Sequence, residues 1–171
     1  MIFETKRLYV TKWKSTDLKA LHEIYGDSAN KKSIVPVLTI EETKSIFDNQ
    51  LSLYEDHAPF GRYFIVEKLS NKFIGLLLFR KDNDKSGVEI GYSLIENYWK
   101  KGYATEVVKE SITWMFETKG FSTMYAITDP ENENSKKVLL KCGFLPQENF
   151  LEDGEEMNFY SLIKEEDASL Q

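Results

Sequence analysis

One stretch, residues 88–106, restricts what this chain can fold into more than any other. Val88, Ile90 and Tyr92 alternate with Glu89, Gly91 and Ser93, the period-two pattern of a strand with one apolar face. From Ala104 the apolar positions change to helical spacing, through Val107, Val108, Ile112 and Met115. The join between them sets Lys100 and Lys101 beside the small residues Gly102 and Ala104. The first amides of a helix lack intrahelical acceptors, and the helix dipole favours negative charge beside them. Small side chains let an anion approach those donors, Thr105 adds a hydroxyl, and the lysines add charge. The join suits a pyrophosphate, although a plain strand-to-helix turn would also use a small residue there. It is not a P-loop, because no Gly-Lys-Ser/Thr follows at the required spacing. Nor is it a dinucleotide fingerprint, because the turn holds a single glycine.

A second stretch, residues 129–144, carries Asn132, Ser135, Gly143 and Phe144. Together the two resemble the GNAT acetyltransferases, in particular the branch of ribosomal-protein N-acetyltransferases. That family writes its acetyl-CoA loop as Gln/Arg-x-x-Gly-x-Gly/Ala; here the frame is Trp99-x-x-Gly102-x-Ala104, and Tyr98-Trp-x-x-Gly-Tyr-Ala-Thr-Glu106 is a usual spelling in the branch. The later signature, Asn-x-x-Ser…Gly-Phe, falls on Asn132, Ser135, Gly143 and Phe144. Two motifs in the right order are far more specific than either alone. The element order agrees over about residues 5–163.

The remaining chain reads as short, alternating elements. Residues 6–13 alternate as a first strand, and Ser15 or Thr16 is placed to cap a helix with Leu18, Leu21, Ile24 and Tyr25 on one face, ended by Gly26. His22 lies at the edge of that helix with no second metal ligand at a suitable spacing. Residues 27–38 form a connecting loop. Thr39 and Glu42 make a capping box before a helix with Ile46, Phe47, Gln50, Leu51 and Tyr54 at helical spacing. Residues 57–61 break the pattern. Strands follow at 62–68 and 72–80, and after a turn at 81–87 the strand at 88–94 completes an antiparallel meander. A helix at 103–119 leads to a strand at 122–128, a β-α-β unit with parallel strands. A short helix at 135–141 ends at Gly143, two strands cover 144–150 and 157–163, and 164–171 is a charged tail. The expected architecture is a single-domain α/β fold with a mixed central sheet flanked by helices. The resemblance makes this a GNAT-type fold whose parallel strands splay apart.

Composition narrows the chemistry. A chain of 171 residues with 42% hydrophobic and 13% aromatic residues can build a sizeable core in one domain. Its net charge of −6 disfavours a nucleic-acid partner and suits a cationic one such as an amine. No apolar run is long enough for a membrane span and the N-terminus lacks a signal-peptide core, so a cytoplasmic protein, monomer or homodimer, is expected. The single Cys142 excludes an internal disulfide and agrees with a reducing compartment.

The resemblance implies acetyl-CoA as co-substrate and no metal. Its pyrophosphate would lie at Trp99, Lys100, Lys101, Gly102, Tyr103, Ala104 and Thr105. The pantetheine arm would run along residues 89–94, including Ile90, Gly91 and Tyr92, with the lower arm and adenylate near Asn132 and Ser135. These last two residues also suit a helix cap. Transfer to an amine requires the neutral amine, so a base is needed, and Glu89 beside the expected thioester is the candidate. A solvent-facing glutamate on a half-exposed strand is the alternative. Many family members carry a tyrosine seven residues after the asparagine to protonate the leaving thiolate; here that position is Leu139. The expected activity is acetylation of a protein N-terminal α-amino group, a polyamine or another small amine by direct transfer in a ternary complex. A noncatalytic acyl-CoA-binding module is the competing expectation.

Overall fold

A computed structural model describes residues 1–26, 37–56, 59–81 and 87–165. The connecting loop expected at 27–38, the break at 57–61, the turn at 81–87 and the charged tail lie partly or wholly outside them. Among the described residues one sheet holds nine strands: β1 (Phe3–Glu4), β2 (Leu8–Thr11), β3 (Gly61–Glu67), β4 (Lys72–Lys81), β5 (Val88–Leu94), β6 (Thr123–Thr128), β7 (Leu145–Pro146), β8 (Phe150–Glu152) and β9 (Glu155–Ile163). The order across it is β1-β2-β3-β4-β5-β6-β9-β7, with β8 on β9. All these ladders are antiparallel except β5–β6. The helices are α1 (Leu18–Tyr25), α2 (Ile40–Asp56), α3 (Tyr103–Thr113) and α4 (Glu133–Lys141), with a 3₁₀ turn at Glu96–Tyr98.

The two sheet faces bury different helices. Ile90 pairs with Phe79 and so shares its face, and the Phe79 ring meets Trp114, just beyond α3, at 5.6 Å. Val88 and Ile90 are almost fully buried there, each such side chain contributing about 1.5–3 kcal/mol. On the opposite face Ser93 pairs with Leu76, and Leu76 with Phe64. Phe64 packs on Trp13 at 5.5 Å, and Trp13 stacks on Phe47 of α2 at 5.9 Å. Glu89 and Gly91 therefore face the α1–α2 side, as the alternation requires.

Local signals hold in detail at α2, where Glu42 N–H donates to Thr39 Oγ1 (3.2 Å) and Thr39 N–H to Glu42 Oε2 (2.8 Å). At α1 the cap position is Asp17, not Ser15 or Thr16, and Asp17 closes the preceding turn by accepting from Lys14 N–H at 2.8 Å. The long helix expected at 103–119 ends in a π turn, Trp114–Thr118, before Gly120. Short β1 and β8 were not expected; at two and three residues they are too short to show a period.

Candidate active site

Strands β5 and β6 pair only at Val88–Met124 and Glu89–Tyr125. Beyond that point each keeps its outer ladder, β5 with β4 up to Leu94 and β6 with β9 up to Thr128. From Ile90 and Ala126 onward their facing edges part, and backbone groups there need partners from elsewhere. At the open end a cleft of about 320 Å³ lies between β5, the start of α3 and α4.

The start of α3 is built to present amides. Gly102 adopts φ +81°, the left-handed conformation that costs an L-residue about 1–2 kcal/mol. The first helical bond of α3 is Glu106 N–H to Gly102 O at 3.0 Å, so the amides of Tyr103, Ala104 and Thr105 precede it without a helical acceptor. A Cβ on Gly102 would lie 3.4 Å from Arg7 Nη2, so its bare backbone serves the turn's conformation more than clearance of the cleft. Lys100 is likewise left-handed, at φ 57°.

Long-range contacts hold this turn. Glu106 Oε1 accepts from Thr5 Oγ1 (2.5 Å) and Arg7 N–H (2.8 Å), and Oε2 from Arg7 Nε (2.7 Å). Arg7 Nη1 also donates to Lys101 O at 2.9 Å, and its guanidinium lies 4.3 Å from the Tyr103 ring centroid. Burial works against the Glu106 carboxylate, but the Thr5 and Arg7 donors outweigh it and hold its pKa below the usual carboxylate range. Trp99 Nε1 donates to Leu94 O at 2.6 Å and ties the turn back to β5.

Of the residues expected at the cofactor, Tyr92, Trp99, Lys100, Gly102, Tyr103, Ala104, Thr105, Asn132 and Ser135 line the cleft. Tyr103 turns its ring under Arg7 and its hydroxyl to Glu67, leaving its amide for the cleft. Asn132 caps α4, Oδ1 accepting from Ser135 N–H at 3.0 Å, so the capping role and the place at the cleft coincide. The remaining three sit apart from the lining. Lys101 Nζ lies over the Tyr98 ring at 5.1 Å. The Ile90 side chain is buried in the core, and a side chain at Gly91 would meet Leu78 on the far face. Only backbone groups of Ile90 and Gly91 can serve a ligand between the strands. Sequence reading missed Tyr98, Asn134, Lys137 and Val138, which also line the cleft. Val138 lies one helical turn along from Ser135, and that spacing was the available signal for it; Asn134 and Lys137 stand at no such spacing from Asn132 or Ser135.

At the apex, Glu89 is 8% exposed and takes two charge-assisted hydrogen bonds on Oε2, from Arg80 Nε (2.9 Å) and Nη2 (2.7 Å). Leu139 is fully buried, so the position of the family tyrosine belongs to the core. Tyr92 lines the cleft, with its hydroxyl 3.1 Å from Ser135 Oγ. Burial pushes that phenol up to about 12. Cys142 is half-buried behind α4, 3.8 Å from Thr105 O, and burial pushes its thiol up. Among the described residues no group of three or more His, Cys, Asp or Glu is placed to hold a metal ion. Nor is any described helix long and apolar enough to cross a membrane.

The unpartnered amides of α3 and the open strand edges fit a phosphate-bearing chain of amides such as coenzyme A. Comparison with known proteins agrees. The acetyltransferase (GNAT) domain profile matches residues 7–145. The p20 protein of Bacillus licheniformis, an uncharacterised N-acetyltransferase, is 31% identical, covering 96% of this chain and 97% of its own length. The crystal structure of a GNAT-family acetyltransferase from Bacillus anthracis superposes with a TM-score of 0.81 at 25% identity, over 95% of this chain and 98% of that one. RimL, a ribosomal L7/L12 α-N-protein acetyltransferase in complex with coenzyme A, shares the fold at TM-score 0.79 and 18% identity, over 95% and 97% of the two chains. The protein therefore belongs to the GNAT acetyltransferase family and is an acetyl-CoA-dependent acetyltransferase.

Proposed function

We propose that the protein acetylates a primary amine by direct transfer from acetyl-CoA in a ternary complex. The observation that carries this reading is the parting of β5 and β6 immediately after Glu89 and Tyr125, beside the unpartnered amides of Tyr103, Ala104 and Thr105. Those amides, with Lys100 and Lys137 at the rim, hold the pyrophosphate. The edge formed by Ile90, Gly91 and Tyr92 pairs with the pantetheine amides and brings the thioester toward the apex.

At the apex Glu89 faces the α1–α2 side, from which an amine can approach while the cofactor occupies the other. The amine nitrogen bonds to the thioester carbonyl carbon, the carbon–sulfur bond breaks, and its electron pair leaves on the thiolate. The amine's surplus proton goes to Glu89, directly or through water. Arg80 occupies Oε2 and orients the carboxylate, so Oε1 is the accepting atom. Direct transfer is favoured over an acyl-enzyme because Cys142, the one thiol in the chain, lies outside the cleft lining with its pKa raised. A thiolate is a good leaving group and departs without an acid.

Release of free thiol from acetyl-CoA is measured against a panel of amines that includes peptides with free N-termini, polyamines and small amines. Acetylated product from at least one class supports the reading. Tight binding of acetyl-CoA with no thiol released by any amine refutes it in favour of a noncatalytic binder.

A further inference from the structure

The face of the sheet that carries Glu89 holds a second polar cluster. Arg62 pairs with Leu78, and Leu78 with Gly91, so these three share the face of Glu89. Two strand spacings separate Arg62 from Gly91, about 9–10 Å, and Glu89 lies about 7 Å further along β5. Gly91 contributes no side chain, so Leu78, with Arg80 beside it opposite Glu89, floors the space between them.

The backbone of Arg62 is fully occupied. Its N–H donates to Gln50 Oε1 at 2.8 Å, and its carbonyl accepts from the Tyr54 hydroxyl. Its guanidinium meets the Tyr25 hydroxyl, and no ion pair to a carboxylate holds it among the described residues. A half-buried guanidinium without an acid is uncommon, because desolvating the charge is costly unless a partner repays it. Gln50 holds the backbone beside it. It is 1% exposed, and with Oε1 committed to Arg62 N–H its Nε2 has no partner. Gly61, at φ +133°, is needed beside it, because a Cβ there would stand 2.4 Å from Gln50 Nε2. The Arg62 guanidinium has N–H groups to spare beyond the one the Tyr25 oxygen accepts, and spare donors on a fixed cation call for an anion.

We infer that this cluster binds a carboxylate carried by the acceptor, so that the preferred substrate is an amine with an acidic group, held by Arg62 while its amino group reaches Glu89. The inference rests on the transferase reading above and narrows it, disfavouring polyamines. Free amino acids and peptides with an acidic residue near the N-terminus share this chemistry.

Acceptors are compared in matched pairs: amino acids against their amides, Ala-Glu-initiated against Ala-Gln-initiated peptides, with spermidine as a polyamine. Wild type should favour the carboxylate member of one pair by roughly tenfold or more in kcat/KM, and the pair that shows it identifies the source. Arg62→Gln should bring that ratio close to one, and Arg62→Glu should turn the preference toward spermidine. Calorimetric titration with acetyl-CoA checks that each variant is folded, and Tyr25→Phe, a milder change, should lower the same ratio. Equal use of both members by wild type, or a ratio that Arg62→Gln leaves unchanged, overturns the inference while the transferase reading stands. Turnover of no acceptor at all overturns both.

Discussion

The two sides of the open sheet offer different kinds of hydrogen-bonding group. On the side of α3 and α4 the donors are mostly backbone: the amides of Tyr103, Ala104 and Thr105 and the free edge of β5. On the side of α1 and α2 they are side chains: Arg62 and Tyr25, with Glu89 at the boundary. Backbone recognition demands little of sequence except a glycine where the turn is left-handed and small residues beside the amides, and those few demands recur as a motif. Side-chain recognition depends on which residues three separate elements bring together, and it can change without changing the fold. A catalytic apparatus of the first kind can thus serve many acceptors through the second.

The largest expected effect lies at the boundary. Glu89→Gln keeps size and removes basicity, so turnover should fall roughly 10²-fold while acetyl-CoA affinity, by calorimetry, stays the same. Raising the pH should restore part of the rate, because more of the amine then arrives neutral. Full turnover at all pH values would make Glu89 a bystander and move the boundary elsewhere.

Next in size is the backbone side itself. Gly102→Val forces a β-branched residue into the φ +81° turn, at a cost of about 1–2 kcal/mol or more, and should weaken acetyl-CoA binding about tenfold. The acceptor preference should not move. A loss shared equally by acetyl-CoA and acceptor would show that the two sides are not separable.

A comparable effect on stability, smaller on binding, is expected at the clamp. Arg7→Ala should destabilise the fold by about 1–2 kcal/mol in denaturant titration, allowing for the partly exposed guanidinium. Because the folded pKa of Glu106 is depressed, its contribution is fully present above the usual carboxylate range and is lost as pH falls through the lowered value. Glu106→Gln should flatten the acid limb of the stability profile.

The smallest change in rate is expected from Leu139→Tyr. A phenol forced into a fully buried site should cost about 1–3 kcal/mol of stability and leave turnover per folded molecule unimproved. A rise in rate would mean that the core position is also an acid position.

The same contrast explains what was legible in the sequence. The strand at Val88–Leu94, the amide-presenting turn and the Thr39–Glu42 box depend on neighbours a few residues apart, and they could be read directly. The Arg7–Glu106 clamp spans 99 positions, and no local pattern announces it. Arg62 looks like an ordinary basic residue opening a strand until β3, α1 and α2 come together around it. Gly102 was recognisable as necessary, but the space beside it faces Arg7, which only the folded turn reveals.

The central claim is that acetyl-CoA lies between β5 and β6 with its phosphates on α3 and its thioester at Glu89. A crystal structure of the coenzyme A complex tests it most directly. Pyrophosphate oxygens within about 3 Å of the Tyr103, Ala104 and Thr105 amides, with the thiol at the point where the strands part, are what the geometry predicts. Phosphates bound elsewhere, with the edge of Ile90, Gly91 and Tyr92 left unpaired, would contradict it.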